Sequence, residues 1–185
     1  MTDVSSATRH HALHLYEEDT MLATTAASFL EPAFPNEQAV IAIATRSHLA
    51  AIEQRFRTSG HDVDGARRSG RYLPLDAEKL LPKLMHNGLP SKRAFDSIVA
   101  GPVGALAAEY GQVRAFGEVV NLLWREGKRT AALKLEDLWN ELLRYQPLSV
   151  ICGYRLRTVG GREGERVDDI VATHDAFLGN DALSG

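Results

Sequence analysis

The densest group of side chains able to carry protons or hold a metal is His10, His11 and His14, near the amino terminus. On a strand, alternation places His10 and His14 on one face and His11 on the other, so at most two imidazoles converge. No cysteine or carboxylate stands at a usual zinc spacing from them. His14, Cys152 and His174 are nevertheless free to meet in a fold and form the candidate metal set. For His14 the two readings are a hydrogen-bonded structural histidine and a ligand contact. Cys152 is the only cysteine and lies near the end of an apolar run, where a thiol usually behaves as a small hydrophobe. Nucleophilic chemistry there requires His14 or His174 beside it as a base. Arg114 and Glu118 flank Phe116 and Gly117 at a strand-to-helix junction, where they either pair internally or point into a pocket. Asn140 abuts an apolar stripe and is suited to capping or bracing a neighbouring loop.

The elements that must position these groups alternate along the chain. Leu13 and Leu15 alternate with His14 and Tyr16, predicting a strand over 11–16. Glu17, Glu18 and Asp19 suit the start of a helix whose stripe is Leu22, Ala26, Phe29 and Leu30, ended by Pro32 and Pro35. Residues 39–44 are an unbroken apolar run rich in β-branched residues, the pattern of a strand buried on both faces. A helix capped by Ser47 and stopped by Gly60 follows. Residues 72–75 predict a short strand that Pro74 places near an end or edge, and Asp76 opens a helix that Gly88 stops. A helical region through Phe95, Ile98, Val103 and Leu106 is interrupted at Gly101-Pro102, giving either two helices or one kinked there. Residues 113–116 predict a strand, followed by a helix that pauses at Gly127 and resumes through Leu142. Residues 148–154 predict another buried strand, 160–164 a glycine-rich turn and 167–178 a last short helix.

This alternation means βαβ units and a mostly parallel sheet of about five to seven strands, with helices on both faces. Ligands of such sheets sit beyond the carboxyl ends of the strands, which directs attention to residues 16–19, 45–47, 114–118 and 152–154. The first strand-to-helix turn is the place for a phosphate-binding loop. It reads Tyr16-Glu17-Glu18-Asp19-Thr20, without glycine or lysine, and its three carboxylates repel a triphosphate.

Composition narrows the class. The chain has 185 residues, 44% hydrophobic and 24% charged, which fits one globular domain with a real core. That domain is expected over 10–178, with a disordered arm at 1–9 and a flexible tail at 179–185. A net charge of −3 and a pI near 6.2 argue against a nucleic-acid surface. A single cysteine excludes an intrachain disulfide. The polar start lacks a signal-peptide core, and no apolar run reaches membrane-spanning length, so a cytoplasmic location is expected.

Five short motifs in order carry a family resemblance: His-x-x-x-x-Tyr (11–16), Arg-Ala-Phe-Gly-Glu (114–118), Leu-Leu-Trp-Arg-Glu-Gly (122–127), Leu-Glu-Asp-Leu-Trp-Asn (135–140) and Ser-Val-Ile-Cys-Gly-Tyr (149–154), completed by His174. Over residues 9–178 the chain resembles the MEDS domain, a sensory domain named from methanogen and methylotroph regulators and the dichloromethane-responsive repressor. The resemblance implies a three-layer RecA/KaiC-like α/β fold without a functional phosphate loop, a role in signal transduction and recognition of small molecules. Its implied ligand contacts are His14, Tyr16, Arg114, Glu118, Cys152, Tyr154 and His174. The expected function is a stand-alone, non-catalytic sensory module with no cofactor. Its expected partners are a histidine kinase or response regulator, a small ligand and, as an open option, a second copy of itself. The alternatives are a pure interaction module with a vestigial ligand site, which predicts an exposed apolar patch, and a RecA-type nucleotide-binding protein or ATPase.

Overall fold

The computed structural model describes residues 9–155 and 167–178. The arm expected at 1–9 (Arg9 apart), the turn at 160–164 and the tail at 179–185 lie outside the described residues.

Six strands form one parallel sheet: β1 (His10–Tyr16), β2 (Ala39–Ala44), β3 (Tyr72–Asp76), β6 (Val113–Gly117), β7 (Leu148–Arg155) and β8 (Ala176–Leu178). A two-residue-a-side antiparallel hairpin, β4 (Met85–His86) and β5 (Leu89–Pro90), stands apart from it. The order across the main sheet is β3-β2-β6-β7-β1-β8. All six residues of β2 and seven of the eight in β7 are buried, as apolar runs covered on both faces require. β3 lies at one edge, where the missing N–H of Pro74 is tolerated.

Side-chain alternation gives the sheet two separate cores. On one face Ala12, Tyr16, Val40, Ala42, Phe116 and Ile151 pack against α1 (Asp19–Leu30), α2 (Arg46–Thr58) and α3 (Val63–Arg68). On the other, Leu13, Ile41, Ala115, Val150, Cys152 and Tyr154 pack against α4 (Ala77–Leu84), α5 (Lys92–Phe95), α6 (Gly101–Tyr110), α7 (Val119–Arg125), α8 (Arg129–Leu143) and α9 (Val167–Ala172). The expected α/β class, the parallel sheet and helices on both faces are all present.

Four local expectations are corrected. The helical region around Gly101-Pro102 is unbroken: α5 runs through a π turn (Asp96–Ala100) into α6. Pro102 has no N–H for the carbonyl one turn back, and the Gly101 N–H instead reaches the Asp96 carbonyl, five residues away. One extra residue in the turn thus accommodates the proline without a break. Helix α2 begins at Arg46 after the extended Thr45, ahead of Ser47. Asn87 and Gly88, both at positive φ, turn a hairpin after α4. The last helix stops at Ala172, and the chain then adds β8 beside β1, with Ala12 opposite Ala176 and Leu13 opposite Phe177.

Candidate functional site

Two polar sites stand apart in the fold, one at the strand ends and one between the sheet and α8. The first is a hollow of about 400 Å³ at the carboxyl ends of β1, β2, β3, β6 and β7, lined by Tyr16, Asp19, Thr45, His48, Glu118 and Arg155 among others. At its base His48 Nδ1 lies 2.8 Å from Glu118 Oε1, and both residues are buried. The Thr45 N–H, immediately before α2, donates to Glu118 Oε2 at 2.9 Å. His48 Nε2 faces Asp19 Oδ1 at 3.4 Å. Burial alone would lower the His48 pKa, but the hydrogen bond and charge of Glu118, helped by Asp19, hold it above its ordinary 6.5. The buried Tyr16 hydroxyl accepts from Asn121 Nδ2 at 3.1 Å. Burial first, and the charges of Glu118 and Asp19 next, push its pKa up. Asn121 Oδ1 accepts from the Arg155 N–H at 3.1 Å, so this one amide ties the ends of β1, β7 and α7 together.

The second site is sealed between the sheet and α8. Glu136, fully buried, is surrounded by four polar side chains from three other places in the chain. Tyr154 donates its hydroxyl to Oε1 at 2.6 Å, and the Cys152 thiol donates to Oε2 at 3.3 Å. His11 Nε2 lies 3.1 Å from Oε2. His174 Nε2 is 3.5 Å from Oε1, and the two imidazole rings pack with centroids 4.1 Å apart. Burial would raise the Glu136 pKa, but His11 and His174 more than offset it, and the carboxyl is held below the usual range. The His11 pKa is raised against its own burial, chiefly by Glu136. Burial and the adjacent carboxylate push the Cys152 thiol and the Tyr154 hydroxyl well up. Negative charge therefore resides on Glu136, and Cys152 is not an activated nucleophile. Asn140 completes the site: its Nδ2 donates to the Thr173 carbonyl at 2.9 Å, which turns Oδ1 toward His11 Nδ1 at 2.8 Å.

The seven sequence-derived candidates do not form one site. Tyr16 and Glu118 line the hollow. Cys152, Tyr154 and His174 surround Glu136 between the sheet and α8. His14 is buried on the Tyr16 side, its ring stacked on Tyr16 at 5.9 Å, so it does not join Cys152 and His174. His11 takes that place because alternation points it to the opposite face. Arg114 does not pair with Glu118. It donates to Gln38 Oε1 at 3.3 Å and the Phe29 carbonyl at 3.0 Å, and lies over the Phe29 ring. Its side chain leaves β6 near the start of the strand, whereas Glu118 follows the strand's end. Sequence reasoning missed His48, Asn121 and Glu136. The signal for Glu136 was its register on α8, where Ala132, Glu136, Trp139 and Leu143 share one buried stripe.

A family model described as the methanogen/methylotroph, DcmR sensory domain (MEDS) matches residues 10–175. No curated protein matches the sequence. Among solved structures, the KaiC-like protein PH0186 from the hyperthermophilic archaeon Pyrococcus horikoshii OT3 is similar, with a TM-score of 0.51 and 14% identity. The alignment covers 79% of this chain but 62% of that one, and at this identity it shows the fold alone. The fold is RecA/KaiC-like.

Proposed function

We propose, from the premise that this chain belongs to the MEDS family of sensory domains, that it binds a small polar ligand in the strand-end hollow without chemically transforming it. The observation that carries this reading is the buried His48–Glu118 pair at the base of the hollow, with Glu118 also holding the Thr45 N–H. A ligand that hydrogen-bonds to His48 competes for Glu118 and thereby loosens the first turn of α2. Such a ligand shifts the balance between the two arrangements only through its different affinity for each. The surface carrying α1 and α2 then presents the change to a signalling partner, a histidine kinase or a response regulator.

The turn between β1 and α1 supports a non-nucleotide ligand. Glu17 and Glu18 stand where a phosphate cradle would be, and Asp19 supplies a further carboxylate in the first turn of α1. The fold is therefore read as a phosphate-loop scaffold with that loop degenerate. A purely interaction-based role calls for an exposed apolar patch. The large hydrophobic side chains exposed among the described residues are Leu89, Tyr145 and Val171, which belong to three different parts of the chain. No helix among the described residues is long and apolar enough to cross a membrane.

The test is a thermal-shift screen of small polar metabolites against the protein and its Glu118→Gln variant. At least one compound is expected to raise the wild-type midpoint and to lose that effect in the variant. Absence of any stabilising compound, or equal stabilisation of both proteins, overturns the reading. ATP turnover that disappears in Glu118→Gln would replace it with the enzymatic alternative.

A further inference from the structure

The sealed cluster has a geometry that hydrogen bonding alone does not require. Four potential ligand atoms, from His11, Glu136, Cys152 and His174, all lie within 4.8 Å of one another. They come from β1, α8, β7 and the turn before β8, so the tertiary fold rather than any local motif brings them together. Ligands at zinc bond lengths of roughly 2.0–2.3 Å around a tetrahedral ion are separated by roughly 3.3–3.8 Å. The contacts of 3.1, 3.3 and 3.4 Å among His11 Nε2, Glu136 Oε2 and Cys152 Sγ fall close to that edge length, and His174 Nε2 lies 3.5 Å from the other carboxylate oxygen, Oε1.

The orientation of both histidines is the second observation. His174 Nδ1 lies 2.7 Å from the Ile170 carbonyl and so carries its proton toward that oxygen. The Asn140 amide is fixed by the Thr173 carbonyl, so its oxygen requires a proton on His11 Nδ1. Each ring is held from behind by its Nδ1–H; His11 Nε2 faces Glu136 and Cys152, and His174 Nε2 faces Glu136. Metal-ligating histidines are held in this way. His174 Nε2 is buried and directed into the cluster, where it makes no well-formed hydrogen bond and its carboxylate neighbour, Glu136 Oε1, stands off at 3.5 Å. Tyr154 fixes the orientation of the Glu136 carboxylate in the same manner.

We propose that His11 Nε2, Glu136, Cys152 Sγ and His174 Nε2 form a closed four-ligand zinc site. One thiolate, one carboxylate and two neutral imidazoles suit a borderline-soft divalent ion better than magnesium or calcium, which take oxygen ligands. Zinc loading displaces the Cys152 thiol proton and any proton on the two Nε2 atoms to solvent. The loaded site is then neutral: two positive charges on the ion against one each on Cys152 and Glu136. A neutral site is compatible with ligand side chains that are all but fully buried. Four protein ligands leave no open position, so the ion is structural and fixes the turn before β8 to the sheet. A hollow of about 810 Å³ lined by Asn140, Thr173 and His174 lies against this turn, the side from which an ion would enter when the turn opens.

The test uses the whole chain. Protein expressed with zinc in the medium is assayed for bound metal, and the chelator-treated protein is titrated with Zn²⁺ and, as a spectroscopic probe, Co²⁺. Expected results are one zinc per chain, a higher melting midpoint on adding zinc, and with Co²⁺ a thiolate charge-transfer band beside intense visible bands of tetrahedral type. Cys152→Ser removes the charge-transfer band. Should that variant fold poorly, Asn140→Ala leaves all four ligands in place and is expected to weaken zinc binding by about 10–100-fold. Substoichiometric metal together with a featureless Co²⁺ spectrum in the wild-type protein overturns the proposal, as does binding that Asn140→Ala leaves unchanged. Neither result bears on ligand binding in the strand-end hollow, which has its own test above.

Discussion

The two histidine–glutamate pairs, His48–Glu118 and His11–Glu136, have nearly the same separation, 2.8 Å and 3.1 Å, but stand in different surroundings. Glu118 lies under an open hollow, accepts a backbone N–H and has one histidine beside it. Glu136 is closed off from solvent and is contacted by two histidines, a thiol and a tyrosine. Water can replace a lost partner in the hollow, whereas nothing can in the sealed cluster. The same chemical pair is therefore adjustable in one place and part of the architecture in the other. The open pair fits a sensing role, where an incoming group must be able to compete, and the closed one fits holding elements together.

Removal of each carboxylate tests this contrast most severely. Glu136→Ala strands His11, Tyr154 and Cys152 in the core and is expected to cost about 3–5 kcal/mol, measured by urea unfolding. A loss no greater than that of the open site would break the comparison. Glu118→Gln keeps the shape, loses a hydrogen bond to a charged group and leaves room for water; a cost of about 1.5–3 kcal/mol is expected from the same measurement.

A smaller effect follows from pH. The folded pKa of His48 is raised above 6.5 by Glu118, with Asp19 as the other facing carboxylate. Its stabilisation is therefore complete below the unfolded value and declines as pH rises through the raised folded value. Unfolding midpoints followed upward from pH 6 should fall more steeply in the wild type than in His48→Gln, and parallel curves would remove the charged pair from the account. The smallest effect is expected at the rim. The Arg46 side chain is 72% exposed and pairs with Asp76, and Arg46→Ala should leave the unfolding midpoint unmoved within error. A clear shift there would mean that the rim is less solvated than the contrast requires.

The strand-helix order was legible because buried parallel strands are apolar runs and covering helices carry stripes, both local patterns. Residues 39–44 and 148–154 identify themselves in this way. Element β8 did not, because a three-residue strand carries no period and its place beside β1 is settled by contacts far away in sequence. The sites divide similarly. Tyr16 and Glu118 were found because strand ends are predictable positions. His48 sits on the flank of an amphipathic helix and gives no local sign that it meets Glu118, 70 residues later. Glu136 precedes Asp137 in what reads as a solvated charged face, and only its alignment with Ala132 and Trp139 reveals a carboxylate turned inward. Alternation placed His11 on the opposite face from His14, but it could not say which face held the partners.

The short strand β8 has a consequence for how the molecule behaves among its own copies. It is the outermost strand beside β1, and its approach is fixed by the Asp175 N–H on the His11 carbonyl at 2.8 Å and the His11 N–H on Asp175 Oδ2 at 3.2 Å. If the turn before it detaches, β1 becomes an open edge with free donors and acceptors, a template for a strand of another chain. The polar cluster that secures His11 and His174 thus also acts as a latch against strand exchange and aggregation.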